Sequence, residues 1–253
     1  MPDTPAAEPP GGDAPADAFW QALGWRPNDD QLQRLQALQE QLRHWNRRLN
    51  LTRLVEGSDY WVAQIVDSLW PLVPLLGQPA TGPLRVIDVG TGGGFPGLAV
   101  AIALPHAHLT LVDSVGRKLE AVRAMASNLG LAERVQLRAE RVERTGRQAE
   151  HRGRYDLAMA RAVAPAPVVA EYLVPLLAPQ GRALLYRGQW PPHDGQQLEA
   201  AALRLQAAVE RVERRELPQQ RGVRHAVWLR PLGPCPAAYP RAVGLPAKQP
   251  LAG

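Results

Sequence analysis

Gly90, Gly92 and Gly94 stand at alternate positions in the run Asp88-Val89-Gly90-Thr91-Gly92-Gly93-Gly94-Phe95-Pro96-Gly97. Missing side chains let a main chain approach a ligand closely and adopt positive φ. An apolar strand-like run precedes this loop and a helical run follows it. Asp113 ends the next strand-like run, 19 residues beyond Gly94. A carboxylate at that place can accept both hydroxyls of a ribose. Together these features predict a nucleoside cofactor. The competing interpretation is a structural strand-to-helix turn beside an incidental acid.

The loop also discriminates between cofactors. A dinucleotide needs a helix N-terminus against its pyrophosphate, where aligned N–H groups favour negative charge. S-adenosylmethionine has no phosphate and carries a sulfonium, an amine and a carboxylate. Its site tolerates an acid before the loop, and Asp88 is one. That acid would sit badly beside a pyrophosphate, and Phe95-Pro96 interrupts the glycine–helix junction of dinucleotide sites. The loop therefore favours S-adenosylmethionine over NAD. Asp88 has a second interpretation, as a cap on loop amides.

The elements that must position this loop alternate in type. LRVIDVG (84–90), LTLVDS (109–114), VQLRA (135–139), YDLAMARA (155–162), RALLYRG (182–188) and RHAVWLR (224–230) read as strands. Helices fit Gly97 to Leu104, Arg117 to Leu129, Pro165 to Leu177 and Gly195 to Val209. This alternation predicts an α/β fold with a Rossmann-like, mostly parallel sheet covered on both faces. Upstream, Phe19 to Gly24 reads as a short helix. A long one starts at Asn28 or Asp29, with Leu32, Leu35, Leu38, Leu42, Trp45 and Leu49 on one face. A further helix runs from Asp59 to Leu72, burying Tyr60, Trp61, Ile65 and Leu69. The expected organisation is a disordered leader (1–17), an N-terminal helical extension (18–80), a cofactor-binding domain (81–232) and a proline-rich tail over the surface (233–253).

Composition bounds the rest. A chain of 253 residues with 45% hydrophobic and 21% charged residues is ordinary for a globular protein. No apolar run approaches the roughly 18 residues of a membrane span, and the N-terminus lacks the pattern of a secretory signal. Cys235 is the only cysteine, which leaves no internal disulfide and no cysteine-based zinc cluster. No metal site is expected, and the cytoplasm is the simplest location. A net charge of +5 and a pI near 9.9 favour an anionic partner, nucleic acid first. Lys118 and Lys248 are the only lysines, so the positive charge is nearly all arginine, which suits phosphates and base stacking.

Several motifs in order resemble one family. GTGGGFPGL (90–98), LVDSVGRK (111–118), RAE (138–140) and ARAVAPAPVVAEYLVPLL (160–177) are similar to the bacterial small-subunit (16S) ribosomal RNA guanine-N7 methyltransferases, also known as the glucose-inhibited division protein B family. WNRRLNLTRL (45–54), VDSL (66–69) and YPRAVGLPAKQPL (239–251) resemble that family's helical-region and C-terminal signatures. The resemblance implies a class I methyltransferase fold, S-adenosylmethionine as cofactor and 16S ribosomal RNA, free or in the small-subunit particle, as partner. It places cofactor contacts at Gly90, Phe95, Asp113, Ala139, Glu140 and Arg161, and the glycine loop's own pattern adds Gly92 and Gly94 as candidates. Asp113 would hold the ribose, Ala139 and Glu140 would flank the adenine, and Arg161 would reach the cofactor carboxylate or an RNA phosphate. Arg187, ending the fifth expected strand, is the candidate for substrate phosphate. Two departures stand out: Ala63-Gln64 where the family commonly has Arg-His, and Arg187-Gly188 in place of Lys-Gly.

The implied chemistry is economical. Guanine N7 carries an exposed lone pair and needs no deprotonation, so in-line positioning at roughly 3 Å can carry the reaction. The chain offers no compelling His-Asp or Cys-His pair, and no catalytic acid or base is assigned. A monomer is expected. The alternatives are an NAD-dependent oxidoreductase, or a non-catalytic RNA-binding module on the same fold.

Overall fold

The computed structural model describes residues 17–79 and 82–251. The expected leader, apart from Asp17, lies outside the described residues.

The N-terminal region is helical because its sequence supplies both periodicity and caps. Helix α1 (Asp17–Leu23) leads into α2 (Asp29–Leu49). Asn28 and Gln31 form a reciprocal capping box, with Gln31 N donating to Asn28 Oδ1 at 2.8 Å and Asn28 N to Gln31 Oε1 at 3.0 Å. Asp29 and Asp30 in the first turn, and Arg47 and Arg48 in the last, complement the helix dipole. Leu35, Leu38 and Leu42 are fully buried. The expected Asp59–Leu72 helix is instead composite. It opens as α3 (Gly57–Tyr60), widens into a π turn over Trp61–Val66, and closes as α4 (Asp67–Leu69) and a 3₁₀ turn (Trp70–Leu72). Pro71 explains the tightened end, since it has no N–H to continue the ladder.

The remainder alternates: β1 (Leu84–Val89), α5 (Gly97–Ala103), β2 (Ala107–Asp113), α6 (Gly116–Asn128), β3 (Val135–Ala139), α7 (Val142–Thr145), β4 (Tyr155–Arg161), α8 (Ala166–Leu173), β5 (Leu177–Arg187), α9 (Pro192–Arg204), β6 (Ala207–Glu216) and β7 (Val223–Pro231). The strands form one sheet in the order β3-β2-β1-β4-β5-β7-β6. Pairing is parallel from β3 through β5 and antiparallel at β5–β7 and β6–β7. The sheet is thus mostly parallel, with an antiparallel hairpin at one edge. Strand β6 corrects the expected helix end at Val209, because α9 stops at Arg204. Its sequence, AAVERVERRE, is a charged edge strand, and the Arg and Glu side chains that hide it from a hydrophobic reading also protect the edge.

Alternation along each strand divides the core in two. Val86, Leu157, Met159, Leu184 and Tyr186 face a layer built from the N-terminal helices with α5 and α6. Ile87, Ala158, Ala160, Ala183 and Leu185 face α8 and α9. The helical extension therefore shares one core with the sheet. Gln31 on α2 donates to the Ile102 and Ala103 carbonyls, closing the otherwise open end of α5. The tail packs against the opposite face. Arg241 forks onto the fully buried Glu171 (2.6–3.1 Å), Gly244 N donates to buried Glu143 at 2.9 Å, and Leu251 is buried. The tail carries one short helix, α10 (Leu245–Lys248). No helix among the described residues is long and apolar enough to cross a membrane.

Candidate active site

In a doubly wound sheet, neighbouring strands whose crossovers run to opposite faces leave a crevice at their C-terminal ends. Here that point lies between β1 and β4. A cleft of 780 Å³ opens there, lined among others by the glycine loop, the end of β2, the start of α7, the end of β4 and the end of β5. Its far wall comes from the helical extension, through Leu51, Thr52, Leu54 and the π turn, and from Ala247 of the tail.

The loop is held from both sides. Asp113 Oδ2 accepts the Gly92 N–H at 2.9 Å, and Oδ1 accepts the Val115 N–H at 2.8 Å. The carboxylate thus ties the loop to the start of α6, and each oxygen keeps a lone pair for a ligand. Gly92 has φ +57°, and among the described residues, its chain neighbours aside, the nearest atom to where a Cβ would sit is the Gly90 carbonyl oxygen at 3.9 Å. A Cβ at Gly97 would stand 2.4 Å from Leu111 and 2.8 Å from Asp88, so helix and strand meet here only through glycine.

Asp88 lies behind the loop, fully buried, and its Oδ2 accepts the Gly97 N–H at 2.9 Å. Of its two sequence interpretations, the structure shows the cap. The first amide of α5 is therefore satisfied internally and is not offered to a ligand phosphate. Burial pushes the Asp88 carboxyl from its ordinary 3.8 up to about 6, against the opposing pull of the Thr91 hydroxyl, the Gly97 N–H and the Arg161 charge. The folded state holds this proton more tightly than the unfolded chain does. The stability from this group is therefore full below its unfolded value and is lost as pH rises through about 6. Asp88→Asn keeps an acceptor for Gly97 and abolishes the titration. Wild-type stability relative to that variant should fall by roughly 2–3 kcal/mol between about pH 4 and about pH 7. Urea unfolding across that range measures it, and a flat difference would contradict the burial.

Of the residues singled out in the sequence, the structure brings Gly90, Gly92, Phe95, Asp113, Glu140, Arg161 and Arg187 around the cleft. It does not bring Gly94, whose missing Cβ would stand 2.7 Å from Leu98 on α5, nor Ala139, which is exposed at the end of β3. Phe95 is buried among the extension's aromatics, 6.3 Å from the Tyr60 ring. Glu140 accepts from Arg138 at 2.7 Å and Thr145 at 2.8 Å. Burial raises its carboxyl, but those two partners outweigh it and hold the group below its ordinary value.

Arg161 is engaged by the protein itself. Its guanidinium donates to Ala63 O and Asp67 Oδ2, both at 3.2 Å, and to the Gln64 side chain. Gln64 donates in turn to Thr52 at 3.1 Å, and Asp67 also faces Arg224 at 3.5 Å. Thr52, Gln64, Asp67 and Arg224 therefore form, with Arg161, one polar network along the cleft wall. Sequence reasoning missed these four. The available signal was Asp67, a single acid in the apolar run WVAQIVDSLW, because a buried acid needs a cation or donors. Arg187 donates to Ala164 O at 2.8 Å and stands 3.9 Å from Asp194 at the cleft's outer end.

Comparisons with known proteins bear on the family and the fold. A family model described as rRNA small subunit methyltransferase G (GidB) matches residues 31–223. A Ribosomal RNA small subunit methyltransferase G from Synechococcus sp. (strain RCC307) is 64% identical over 235 residues, covering 93% of this chain and 98% of the relative. One from Prochlorococcus marinus (strain MIT 9313) is 60% identical over 237 residues, covering 94% and 96%. Among solved structures, an O-methyltransferase from Bacillus cereus in complex with SAH superposes with a TM-score of 0.56 at 14% identity, covering 76% of this chain and 90% of that one. Mitomycin 7-O-methyltransferase gives 0.51 at 14% identity, covering 80% and 67%. These two likenesses establish the fold, a class I methyltransferase sheet. Motif order, fold and sequence identity converge: the chain belongs to the GidB family of rRNA small subunit methyltransferases G.

Proposed function

We propose that this protein transfers a methyl group from S-adenosylmethionine to N7 of a guanosine in 16S ribosomal RNA. The observation that carries the cofactor assignment is the division of labour around the loop. Asp113 presents a carboxylate at the cleft, as a ribose requires, while Asp88 occupies the α5 amide that a pyrophosphate would need. A nucleoside without phosphates fits such a site. In this reading Gly90, Gly92, Phe95, Asp113, Glu140 and Arg161 surround the cofactor. Gly94 supports the loop from behind, and Ala139 contributes at most main chain.

S-adenosylmethionine, when bound, supplies an electrophilic methyl on its sulfonium. The protein's part is to orient and to exclude water. Among the described residues neither histidine nor cysteine lines the cleft, and its acids Asp67, Asp113, Glu140 and Glu143 are all hydrogen-bonded within the protein. That arrangement suits a nucleophile needing no base. Guanine N7 would take the methyl with its own lone pair as the carbon–sulfur bond breaks, so no proton need leave, and the products would be a cationic 7-methylguanosine and S-adenosylhomocysteine. Cys235, which C5 chemistry would require as nucleophile, lies in the tail with its thiol pushed up to about 11 by burial.

The reading extends to organisation: residues 81–232 form the cofactor-binding unit, carrying the 18–80 extension and the 233–253 tail. The protein acts as a monomer in the cytoplasm on ribosomal RNA or the small-subunit particle, with Arg187 toward the substrate. Calorimetry separates the readings. S-adenosylmethionine should bind in the micromolar range and NAD should give no heat. Heat from NAD alone would favour an oxidoreductase, and RNA binding without any cofactor affinity a non-catalytic module.

A further inference from the structure

An RNA substrate brings phosphates, yet three of the four arginines that line the cleft, all but Arg141, are already committed. Arg161 is bound to Ala63, Gln64 and Asp67, Arg224 faces Asp67, and Arg187 holds Ala164 O. Elsewhere along α2 the arginines are also paired: Arg34 with Asp30 at 2.9 Å, and Arg43 with Glu40 and Glu56. The pattern breaks at the end of the helix. Arg47, Arg48 and Arg53 are all exposed, and none makes an ion pair or a side-chain hydrogen bond with a described residue.

Local structure carries the chain from this helix end to the cleft. Helix α2 ends at Asn50, which takes a left-handed conformation (φ +46°) and turns the chain back. Asn46 Oδ1 then accepts the Thr52 N–H at 2.9 Å, which sets Thr52 against the helix's last turn. Leu51, Thr52 and Leu54 line the cleft, and Leu51 packs 3.4 Å from the Cβ position of Gly93 in the glycine loop. Arg53 therefore sits between two cleft-lining residues with its charge outward. Two of the three cations fit the negative helix end, which explains their tolerance there. The helix dipole does not account for Arg53, which lies beyond the helix.

We propose that Arg47, Arg48 and Arg53 form a phosphate-binding arm that seats the RNA backbone beside the cleft. This rests on the ribosomal RNA methyltransferase reading and names a surface for its substrate. Arginine forks pair with phosphate oxygens bidentately, and unpaired, exposed guanidinium groups make such contacts without first breaking a protein bond. The contacts are to backbone, so the arm positions the RNA and does not read its sequence.

The test is filter binding of deproteinised 16S ribosomal RNA across a salt series, with the Arg47→Gln/Arg48→Gln/Arg53→Gln triple variant and the three single variants. Each phosphate contact contributes about 0.7–0.9 to the slope of log affinity against log salt. The triple variant should lower that slope by about two to three and weaken binding at least about tenfold at low salt; each single variant should lower the slope by about one. S-adenosylmethionine affinity should stay within about twofold, since none of the three lines the cleft. Arg26→Gln is the control, because Arg26 pairs with Asp17 near the other end of α2, roughly 30 Å away. Its slope should match wild type. Triple-variant RNA binding with wild-type slope and affinity, while the wild-type enzyme still methylates ribosomal RNA, would overturn the arm and leave the function intact. A loss per arginine equal to that of Arg26→Gln would do the same, showing only a change in net charge. A wild-type protein that transfers no methyl group to ribosomal RNA would remove the reading and the arm together.

Discussion

Valine at position 92 should give a folded protein with no detectable methyl transfer. Gly92 sits at φ +57°, in the left-handed region, lines the cleft, and a Cβ placed there would meet the Gly90 carbonyl oxygen only at ordinary contact distance, 3.9 Å. The left-handed conformation costs an ordinary residue about 1–2 kcal/mol, and a β-branched one suffers most. That cost is survivable for a chain of this size and corresponds to a drop in Tm of about 2–8 °C. Function is lost for a different reason. The valine methyl groups would occupy space that the cofactor needs, and relieving the strain would move the Gly92 N–H away from Asp113. Alanine at the same place should show partial activity, because it carries the strain with less bulk. A Gly92→Val protein that methylates normally would place the cofactor elsewhere.

Asp113→Ala should weaken S-adenosylmethionine binding by about 1–3 kcal/mol, roughly 5- to 150-fold. Two losses combine. The ribose loses its acceptor, and the Gly92 and Val115 N–H groups lose theirs, so the loop is no longer fixed before the ligand arrives. Asp113→Asn separates the two, since one amide oxygen can serve either N–H but the NH₂ group can serve neither. Calorimetry should rank wild type, Asn and Ala in that order. Equal affinity for all three would remove Asp113 from the site.

Much of this was legible in the sequence, and the reasons differ by element. The strands β1, β2 and β4 are buried on both faces and read as continuous apolar runs, so LRVIDV, HLTLVD and YDLAMAR identify themselves. Strand β6 hid because an edge strand is exposed and its charges resemble a helix surface. The start of β5 hid behind Pro179 and Gly181, which read as turn residues. At the site, the glycine loop and Asp113 are local signals and were readable. The company that Arg161 keeps was not, because Ala63, Gln64 and Asp67 come from more than 90 residues away in the chain. Gln64 was noted only as a departure from a common Arg-His pair, and the structure gives it a partner on each side, Thr52 and Arg161. The π turn that carries Gln64 has no distinctive composition, although such turns often mark functional sites. The tail, expected to lie over the surface, carries Arg241, which satisfies the buried Glu171; neither residue announces the other across 70 positions.

The most direct measurement of the central claim is the identity of the methylated atom. Small-subunit ribosomal RNA lacking the modification, incubated with the purified protein and S-adenosylmethionine, should gain one methyl group on one guanosine. Nuclease digestion and mass spectrometry should identify it as 7-methylguanosine. Borohydride reduction followed by aniline should cleave the chain at that nucleotide, as the cationic N7-methylated base requires. Methyl groups found on cytosine, on a ribose hydroxyl or on a different guanine nitrogen would contradict the account, as would no transfer to ribosomal RNA at all.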